Sequence, residues 1–286
     1  MLRLDSVCKT FNPGTANEVR ALANVTIQLA PGSFTVVIGT NGSGKSTLQG
    51  AISGAFDLDH GSITVDDADI TRWPEHRRAH LIGRVFQDPF AGTAPGLTVA
   101  ENLALASKRG KWRTLAPLLR GARRGEWKDL LAQIGLGLEN RLDDPIGLLS
   151  GGQRQSITLL MATLTSPKVL LLDEHTAALD PRSAELVISL TTRLVAHSSA
   201  TTVMVTHSMQ QAATLGDRLI AMHRGKVYLD VSGVEKQHLT ESELLALFSQ
   251  MRRDDRFDDD ACALVAAQYR SSGPSSRRSD DGGGVI

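Results

Sequence analysis

Two stretches rich in small residues have the composition of phosphate-binding sites. Residues 39–47, GTNGSGKST, contain three glycines that permit a tight loop of outward-facing N–H groups. In this phosphate loop, Lys45 could reach phosphate oxygens, and the Ser46 hydroxyl could bind Mg²⁺. Residues 148–156, LLSGGQRQS, place small residues at the start of a helix-periodic run, where free backbone N–H groups favour an anion. The sequence therefore predicts two anion sites that are well separated along one chain.

A helix cap alone does not account for the second stretch. Ser150 and Gln153 have the spacing of a capping box. Gly151 and Gly152 then occupy the first helical turn, where each glycine costs about 1 kcal/mol relative to alanine. Because a cap gains nothing from either glycine, we expect another group to approach this backbone closely.

Two carboxylates and a histidine end predicted buried strands. Asp173 and Glu174 close the run VLLLDE, and His207 closes TTVMVTH. Ligands of open α/β folds bind at the carboxyl edge of the sheet, so we expect the three side chains at that edge. There Asp173 would hold Mg²⁺, partly through water, while Glu174 polarises the attacking water and His207 binds the γ-phosphate. Surface acids and a structural histidine are the alternative interpretations.

Two further polar residues lie at the ends of predicted elements: Gln87 follows a short strand, and Asp180 precedes a helix. Gln87 comes after the short β-like run RVF and before a helical region, so it could contact Mg²⁺ or the attacking water. A solvent-facing glutamine is the alternative. Asp180 precedes Pro181, the combination typical of a helix N-cap followed by proline at the first helical position.

The elements that must position these groups alternate between strands and helices. The runs LRLDSV, NVTIQL and GSITVDD predict a half-exposed antiparallel sheet, whereas FTVVIG, KVLLLDE and TTVMVTH predict buried strands. Residues 181–197 are helix-periodic, and RLIAMHRGKVYLD predicts a hairpin that turns at Arg224 and Gly225. Residues 86–149 are predominantly helical in pattern, with a capping box at Thr98 and Glu101. This order predicts an α/β fold.

Composition limits the classes of function. The 286 residues have a formal net charge of zero, which gives no global attraction to nucleic acid or to a membrane surface. Cys8 and Cys262 are far apart in sequence, as suits a reducing compartment. The alternating pattern of the N-terminal residues predicts a strand rather than a secretory signal. No apolar run reaches the roughly 18 residues expected of a membrane-spanning helix. We expect a cytosolic protein that works at a membrane only through a partner.

Two charged regions fall outside the periodic pattern. The basic cluster from Lys108 to Arg124 is interpreted as a solvated helix face, with contact to anionic lipid as the alternative. Residues 252–286 mix charge, serine and glycine with little to bury, which predicts a disordered tail.

The motifs together resemble a known family. GTNGSGKST, FQDP, LSGGQRQ, VLLLDE, AALD and VTH stand in the order of the ATP-binding subunits of ATP-binding-cassette (ABC) transporters, and LSGGQ, residues 149–153, is that family's signature. The resemblance implies an ABC ATPase domain over residues 1–251. Its fold would be a P-loop NTPase core of mainly parallel sheet with flanking helices, an N-terminal antiparallel β subdomain, and a signature-bearing helical subdomain inserted at residues 87–150.

The resemblance also explains the two anion sites. ATPase domains of this family form a head-to-tail dimer in which the signature of one subunit covers the γ-phosphate on the phosphate loop of the other. It thus implies ATP and Mg²⁺ as cofactors, and a second ATPase subunit, in this case a second copy of the chain. The resemblance implies that Phe11 contacts adenine and that the other nucleotide contacts are Gly39, Thr40, Asn41, Gly42, Ser43, Gly44, Lys45, Ser46, Thr47, Ser150, Gly151, Gly152, Gln153 and Asp180. The implied Mg²⁺ ligands are Ser46, Gln87 and Asp173. The implied catalytic residues are Glu174, His207 and Gln87.

The individual residues of the motifs indicate the type of transporter. The chain lacks the acidic-glycine motif that precedes the signature in exporters with fused membrane domains, so it resembles a bacterial importer subunit. KTFNPGT, GRVFQDPFAGTAP and LLLDEHTAALDP are similar to a subgroup linked with uptake of amino acids, including aromatic ones. His175 stands where many members have proline, and we expect a local packing role for it.

The resemblance to importer subunits implies particular partner proteins and a particular location in the cell. The expected partners are integral membrane permease subunits and, indirectly, a solute-binding protein, at the cytoplasmic face of the bacterial inner membrane; no nucleic acid is expected. A soluble ABC ATPase, for example in cofactor assembly, and an exporter ATPase are the alternatives.

Overall fold

Two β-sheets carry the fold in the computed structural model, which describes residues 1–110 and 121–250. The first sheet contains β1 (Leu2–Phe11), β2 (Val19–Leu29), β4 (His60–Val65) and β5 (Ala68–Asp69). It is antiparallel, in the order β2-β1-β4-β5. The sheet corresponds to the runs whose alternation predicted it, because its strands bury alternate residues.

The second sheet has six strands. They are β3 (Phe34–Gly39), β6 (Ile82–Val85), β7 (Val169–Asp173), β8 (Thr201–Val205), β9 (Arg218–His223) and β10 (Lys226–Ser232). Their order is β10-β9-β3-β8-β7-β6, and every neighbouring pair is parallel except the β9–β10 hairpin. This mainly parallel sheet confirms the α/β prediction, and the hairpin turns at Arg224 and Gly225 as predicted.

Helices connect these strands. They are α1 (Lys45–Ser53), α2 (Glu75–Arg78), α3 (Val99–Ser107), α4 (Gly121–Ala132), α5 (Gly151–Thr163), α6 (Pro181–His197), α7 (Met209–Thr214) and α8 (Gly233–His238), with 3-10 turns at Leu138–Asn140 and Ile146–Leu148. Residues 241–250 are also helical. Helix α6 has the predicted bounds. Among the described residues, no helix combines the length and hydropathy needed to cross a membrane.

The apolar residues form separate cores. One lies between the antiparallel sheet, α1 and one face of the parallel sheet. The opposite face packs against α6, α7 and the helix at 241–250. A further core joins α3, α4 and α5 around Trp127 and Leu131. Residues 86–98 form turns rather than helix, because Pro89, Pro95 and two glycines interrupt the helical pattern there.

A buried arginine anchors the end of α1. Arg78 Nη1 donates to the carbonyls of Ala51 and Ile52 at 2.7 and 2.8 Å, in the last turn of α1. Arg78 also donates to Trp73 O at 2.8 Å and to Thr71 O at 2.9 Å. Carbonyls of a last helical turn have no partner within the helix, so Arg78 satisfies them and fixes α1 in place.

The basic cluster is not a uniform solvated face. Arg109 Nη2 donates to Met161 O, and burial lowers the pKa of its guanidinium. Arg124 pairs with Asp143 at 2.7 Å. Lys111, Arg113 and Arg120 lie outside the described residues, as does the predicted tail, residues 252–286.

Candidate nucleotide site

The phosphate loop connects β3 to α1, and its glycines meet different requirements. A Cβ atom at Gly39 would lie 2.4 Å from Met222 O, and one at Gly44 would lie 2.4 Å from Ala21 O, so close backbone packing excludes side chains at both. Gly42 has φ of +76°, a left-handed conformation, and its Cβ position faces open space. Thr40, Asn41 and Ser43 lie between these glycines, and Ser46 and Thr47 begin α1. The loop therefore leaves its exposed side free for a ligand.

Lys45 lies within the loop. Its Nζ donates to Gly39 O and Thr40 O, each at 2.9 Å. Burial lowers the pKa of this ammonium group, although the charges of Glu174 and Asp173 act in the opposite direction. Ser43 Oγ is buried and has no hydrogen-bond partner within the described chain. A cation and an unpaired hydroxyl in a glycine loop fit a phosphate ligand.

The carboxyl edge of the parallel sheet brings Glu174 and His207 together. Strands β7 and β8 are neighbours, with Asp173 opposite Val205, so the residues after both strands emerge side by side. Glu174 Oε1 lies 2.6 Å from His207 Nε2, and the Glu174 side chain is 14% exposed against 45% for His207. Glu174 also has φ of +41°, a strained conformation of the kind that concentrates at functional sites. This pair is available for proton transfer.

Oxygen donors for a cation come from three elements near this edge. Asp173 ends β7, Gln87 lies two residues beyond the neighbouring strand β6, and Ser46 is in the first turn of α1. The side chains of Gln87 and Ser46 are exposed. Carboxylate, amide and hydroxyl oxygens are suitable ligands for Mg²⁺, so the residues present fit this ion.

Phe11 ends β1 in the antiparallel sheet. Its ring is half-buried and meets Phe56 edge to face, with centroids 5.3 Å apart. Lys9 Nζ lies 5.5 Å from the Phe11 centroid. The ring is therefore held in place by one aromatic neighbour.

The signature begins α5 with the predicted capping box. The N–H of Gln153 donates to Ser150 Oγ at 3.3 Å, and the N–H of Ser150 donates to Gln153 Oε1 at 3.2 Å. Gly151 is exposed, but Gly152 is buried, and a Cβ there would lie 2.7 Å from Ser183 Cβ of α6. The group that packs against the Cβ position of Gly152 is therefore in the same chain, whereas the exposed Gly151 presents open backbone to a ligand.

The two predicted anion sites lie on different parts of the fold. Helix α1 packs against β2, β3 and β7, whereas α5 packs against α6, α3 and β6. In the portion of the chain that the structure describes, no hydrogen bond or ion pair joins residues 39–47 to residues 148–153. The two predicted anion sites are thus built on separate helices, α1 and α5, with no polar contact between them among the described residues.

Two residues after the signature, not singled out by the sequence analysis, hold this region together. Arg154 donates to the carbonyls of Ile146, Gly147 and Leu149 at 2.8–3.2 Å and stacks over Phe90. Gln155 Nε2 donates to Phe86 O at 3.1 Å, which ties α5 to the residue before Gln87. In the sequence, both residues look like ordinary polar side chains of a helix.

Two of the remaining residues have clear local roles. Asp180 Oδ1 accepts from the N–H of Ser183 at 3.1 Å and caps α6. Hydrogen bonding from the side chain of Ser183, and then from its backbone N–H, keeps the pKa of Asp180 below its ordinary value. His175 is buried and its Nε2 lies 2.9 Å from Thr191 Oγ1. Because the Thr191 hydroxyl donates to Val187 O, the His175 Nε2–H donates to it. Burial lowers the pKa of His175 to about 4, so the ring is neutral and packs locally as expected.

Comparison with known proteins identifies the architecture. The family model for "ABC transporter" matches residues 22–177. A tyrosine transport ATP-binding protein of Clostridioides difficile (strain R20291) is 47% identical over 250 residues, which cover 87% of this chain and 98% of that protein. A sulfate/thiosulfate import ATP-binding protein of Mycobacterium bovis is 38% identical over 208 residues, 72% of this chain and 56% of that protein.

Solved structures agree with the sequence comparison. A dimeric ATP-binding cassette in a post-hydrolysis state, bound to ADP and Pi, superposes with a TM-score of 0.68 at 29% identity, over 81% of this chain and 98% of that chain. With its phosphate loop, its paired Glu174 and His207 and its separate signature, the chain belongs to the ABC transporter family as an ATP-binding and ATP-hydrolysing subunit.

Proposed function

We propose that two copies of this chain close around ATP, head to tail, and thereby drive import of an aromatic amino acid such as tyrosine. The separation of the phosphate loop from the signature within one chain carries the dimer part of this proposal. The identity of 47% with a tyrosine transport ATP-binding protein, over almost the whole of that relative, supports the cargo.

The nucleotide would bind first to one copy. In this proposal the phosphate loop, Gly39 to Thr47, surrounds the β- and γ-phosphates, and the Lys45 ammonium exchanges its two loop carbonyls for phosphate oxygens. The ring of Phe11 stacks on adenine.

Magnesium would be held by oxygen atoms of Ser46, Asp173 and Gln87. When bound, it neutralises charge on the transferred phosphoryl group. The donor types of these three residues support this assignment.

Glu174 would act as the general base. Its carboxylate accepts a proton from the attacking water, which displaces ADP from the γ-phosphorus and leaves phosphate. The 2.6 Å contact fixes this carboxylate beside His207, whose exposed ring can turn toward the γ-phosphate.

The second copy would complete the site. Its Ser150 hydroxyl, its Gln153 and the backbone N–H groups of Gly151 and Gly152 approach the γ-phosphate at the start of α5, where the helix favours an anion. Asp180, at the start of α6, lies next to Ser183 and hence close to the signature of its own chain. We infer that it transmits closure between the copies.

The surrounding assembly follows from this role. We propose permease subunits as membrane partners, a solute-binding protein that delivers the cargo, and a place at the cytoplasmic face of the inner membrane. Within an ATPase domain of residues 1–251, the inserted subdomain at 87–150 would transmit closure to the permease.

The variant Glu174→Gln tests the catalytic part. It keeps the shape and a hydrogen bond to His207 but removes the base, so ATP hydrolysis should fall by about 10²–10⁴-fold. ATP should still produce a dimer, measured by light scattering coupled to gel filtration. As the matched control, Lys45→Ala should lose both ATP binding and the dimer. Normal turnover in Glu174→Gln would exclude this residue as the base, and a monomer at saturating ATP would exclude the two-copy site.

Reconstitution tests the cargo. The chain and its permease in proteoliposomes, supplied with the solute-binding protein and with Glu174→Gln as the inactive control, should accumulate labelled tyrosine only with ATP on the side of the ATPase. Uptake of another solute class, or export, would refute the proposed cargo or direction and leave the ATPase mechanism intact.

A further inference from the structure

Arg84 lies beside the metal-ligating carboxylate that the proposed function assigns. Strands β6 and β7 are parallel neighbours in which Arg84 is opposite Leu171. Asp173 is two residues beyond Leu171, so its side chain leaves the same face of the sheet as Arg84. Arg84 Nη2 lies 3.5 Å from Asp173 Oδ2, and Nη1 lies 3.5 Å from Ser53 Oγ at the end of α1.

The guanidinium group of Arg84 is poorly satisfied where it lies. Its Nε is buried with no hydrogen-bond partner among the described residues, and its two polar contacts are long. Arg78, by contrast, donates four hydrogen bonds of 2.7–2.9 Å to backbone carbonyls. Since structural arginines of this protein find close acceptors, anchoring the fold does not account for Arg84.

The charges around Asp173 suggest what Arg84 does. Asp173 and Glu174 are adjacent carboxylates, and Lys45 on α1 is close enough for both to influence its pKa. The Asp173 and Arg84 side chains are only 17% and 20% exposed, so water screens them weakly. Arg84 therefore supplies a second positive charge to this pair of carboxylates, which would otherwise share the single charge of Lys45 as the phosphates arrive.

We propose that Arg84 is a positioning residue that holds Asp173 in the metal-free protein and competes with Mg²⁺ for this carboxylate. This inference rests on the proposed function, because it takes Asp173 as a Mg²⁺ ligand. Arg84 stabilises the protein before the metal arrives and limits how strongly the metal binds afterwards.

The test compares nucleotide affinity with and without the metal in the Glu174→Gln protein, where hydrolysis does not interfere. The dissociation constant of a fluorescent ATP analogue is measured in excess EDTA and in excess Mg²⁺, and the ratio of the two constants is the Mg²⁺ enhancement. The Arg84 guanidinium lies over the Phe86 ring, 4.6 Å from its centroid, and Arg84→Met keeps a long apolar side chain there. This variant should raise the enhancement about fivefold, the scale of one partly exposed ion pair. Arg84→Lys, which keeps the charge, should stay within about twofold of the parent.

Two controls make the outcome specific. Arg77→Met removes the same charge from an arginine that stacks on Trp73, and it should leave the enhancement unchanged. In an Asp173→Asn background, Arg84→Met should have no further effect. If Arg84→Met does not fold, as judged by circular dichroism, Arg84→Gln replaces it in the same measurements.

The possible results distinguish a failure of the proposed metal site from a failure of the proposed competition by Arg84. A parent protein with no Mg²⁺ enhancement would refute the proposed metal site itself. An enhancement in the parent that Arg84→Met leaves unchanged or lowers would refute the competition by Arg84 alone. An effect of Arg84→Met that persists with Asp173→Asn would also refute it.

Discussion

Gly152→Ala should destabilise the nucleotide-free protein, although alanine normally favours a helix over glycine. The new Cβ would lie 2.7 Å from Ser183 Cβ and 2.8 Å from Ser183 Oγ. Ser183 Cβ is attached directly to the backbone of α6, so it cannot rotate away, and α5 must separate from α6. The perturbation thus strains the interface between the signature helix and the helix that follows Glu174.

The size of the effect is the difference between two terms. Inserting a methyl group into a packed contact costs about 1–3 kcal/mol. The higher helix propensity of alanine returns at most about 1 kcal/mol. The net loss is then up to about 2 kcal/mol, and each kcal/mol lowers the melting temperature by roughly 2–4 °C for a chain of this size.

Thermal and urea unfolding without nucleotide measure this loss, and Gly151→Ala is the matched control. A Cβ at Gly151 meets only the flexible end of Leu179, at 3.2 Å, so its stability should stay within about 0.5 kcal/mol of the parent. Adding Ser183→Gly should relieve the contact, giving a favourable coupling of about 1 kcal/mol with Gly152→Ala. A fully stable Gly152→Ala protein, with no coupling to Ser183→Gly, would refute the packing explanation and return Gly152 to a purely ligand-binding role.

Two other predictions concern buried groups. His175 has a pKa of about 4 when folded against an ordinary value of 6.5, so the unfolded chain binds the proton first as pH falls. Stability is therefore retained above pH 6.5 and lost toward pH 4, by about 2 kcal/mol between pH 7 and pH 5. Urea unfolding at both pH values should show this loss, and His175→Gln should remove most of it; an unchanged pH dependence in that variant would contradict the assignment. Arg154→Lys should cost about 2 kcal/mol in the same assay, because lysine cannot bind three carbonyls of residues 146–149 and stack on Phe90 together. A loss below about 0.5 kcal/mol would contradict that role.

Features set by neighbours in the chain were predictable. The caps at Thr98, Ser150 and Asp180 form as expected, because an N-cap depends on the backbone within three residues. The strands ending at Asp173 and before His207 were predictable because a strand buried on both faces is apolar throughout.

Contacts between distant segments were not predictable in this way. The pairing of Arg84 with Asp173 depends on β6 lying next to β7, and the sequence pattern does not give the strand order. The close approach expected at the signature glycines is present at Gly152, but the sequence pattern did not indicate that α6 of the same chain provides it. The prediction of a helical pattern over residues 86–98 is wrong, because prolines and glycines interrupt it.

The sequence by itself determined which groups are available for chemistry: a glycine loop with Lys45, a capped signature, and acids and a histidine at strand ends. Each depends on local backbone conformation, which residue type and spacing control directly. Only the tertiary structure decided which of these groups meet. Packing set the 2.6 Å contact between Glu174 and His207, at the sheet edge where the sequence predicts both, and it paired Arg84 with Asp173. It also placed the signature and the phosphate loop of the chain on different helices, because the order of strands and the stacking of helices follow from burial of the whole apolar surface at once.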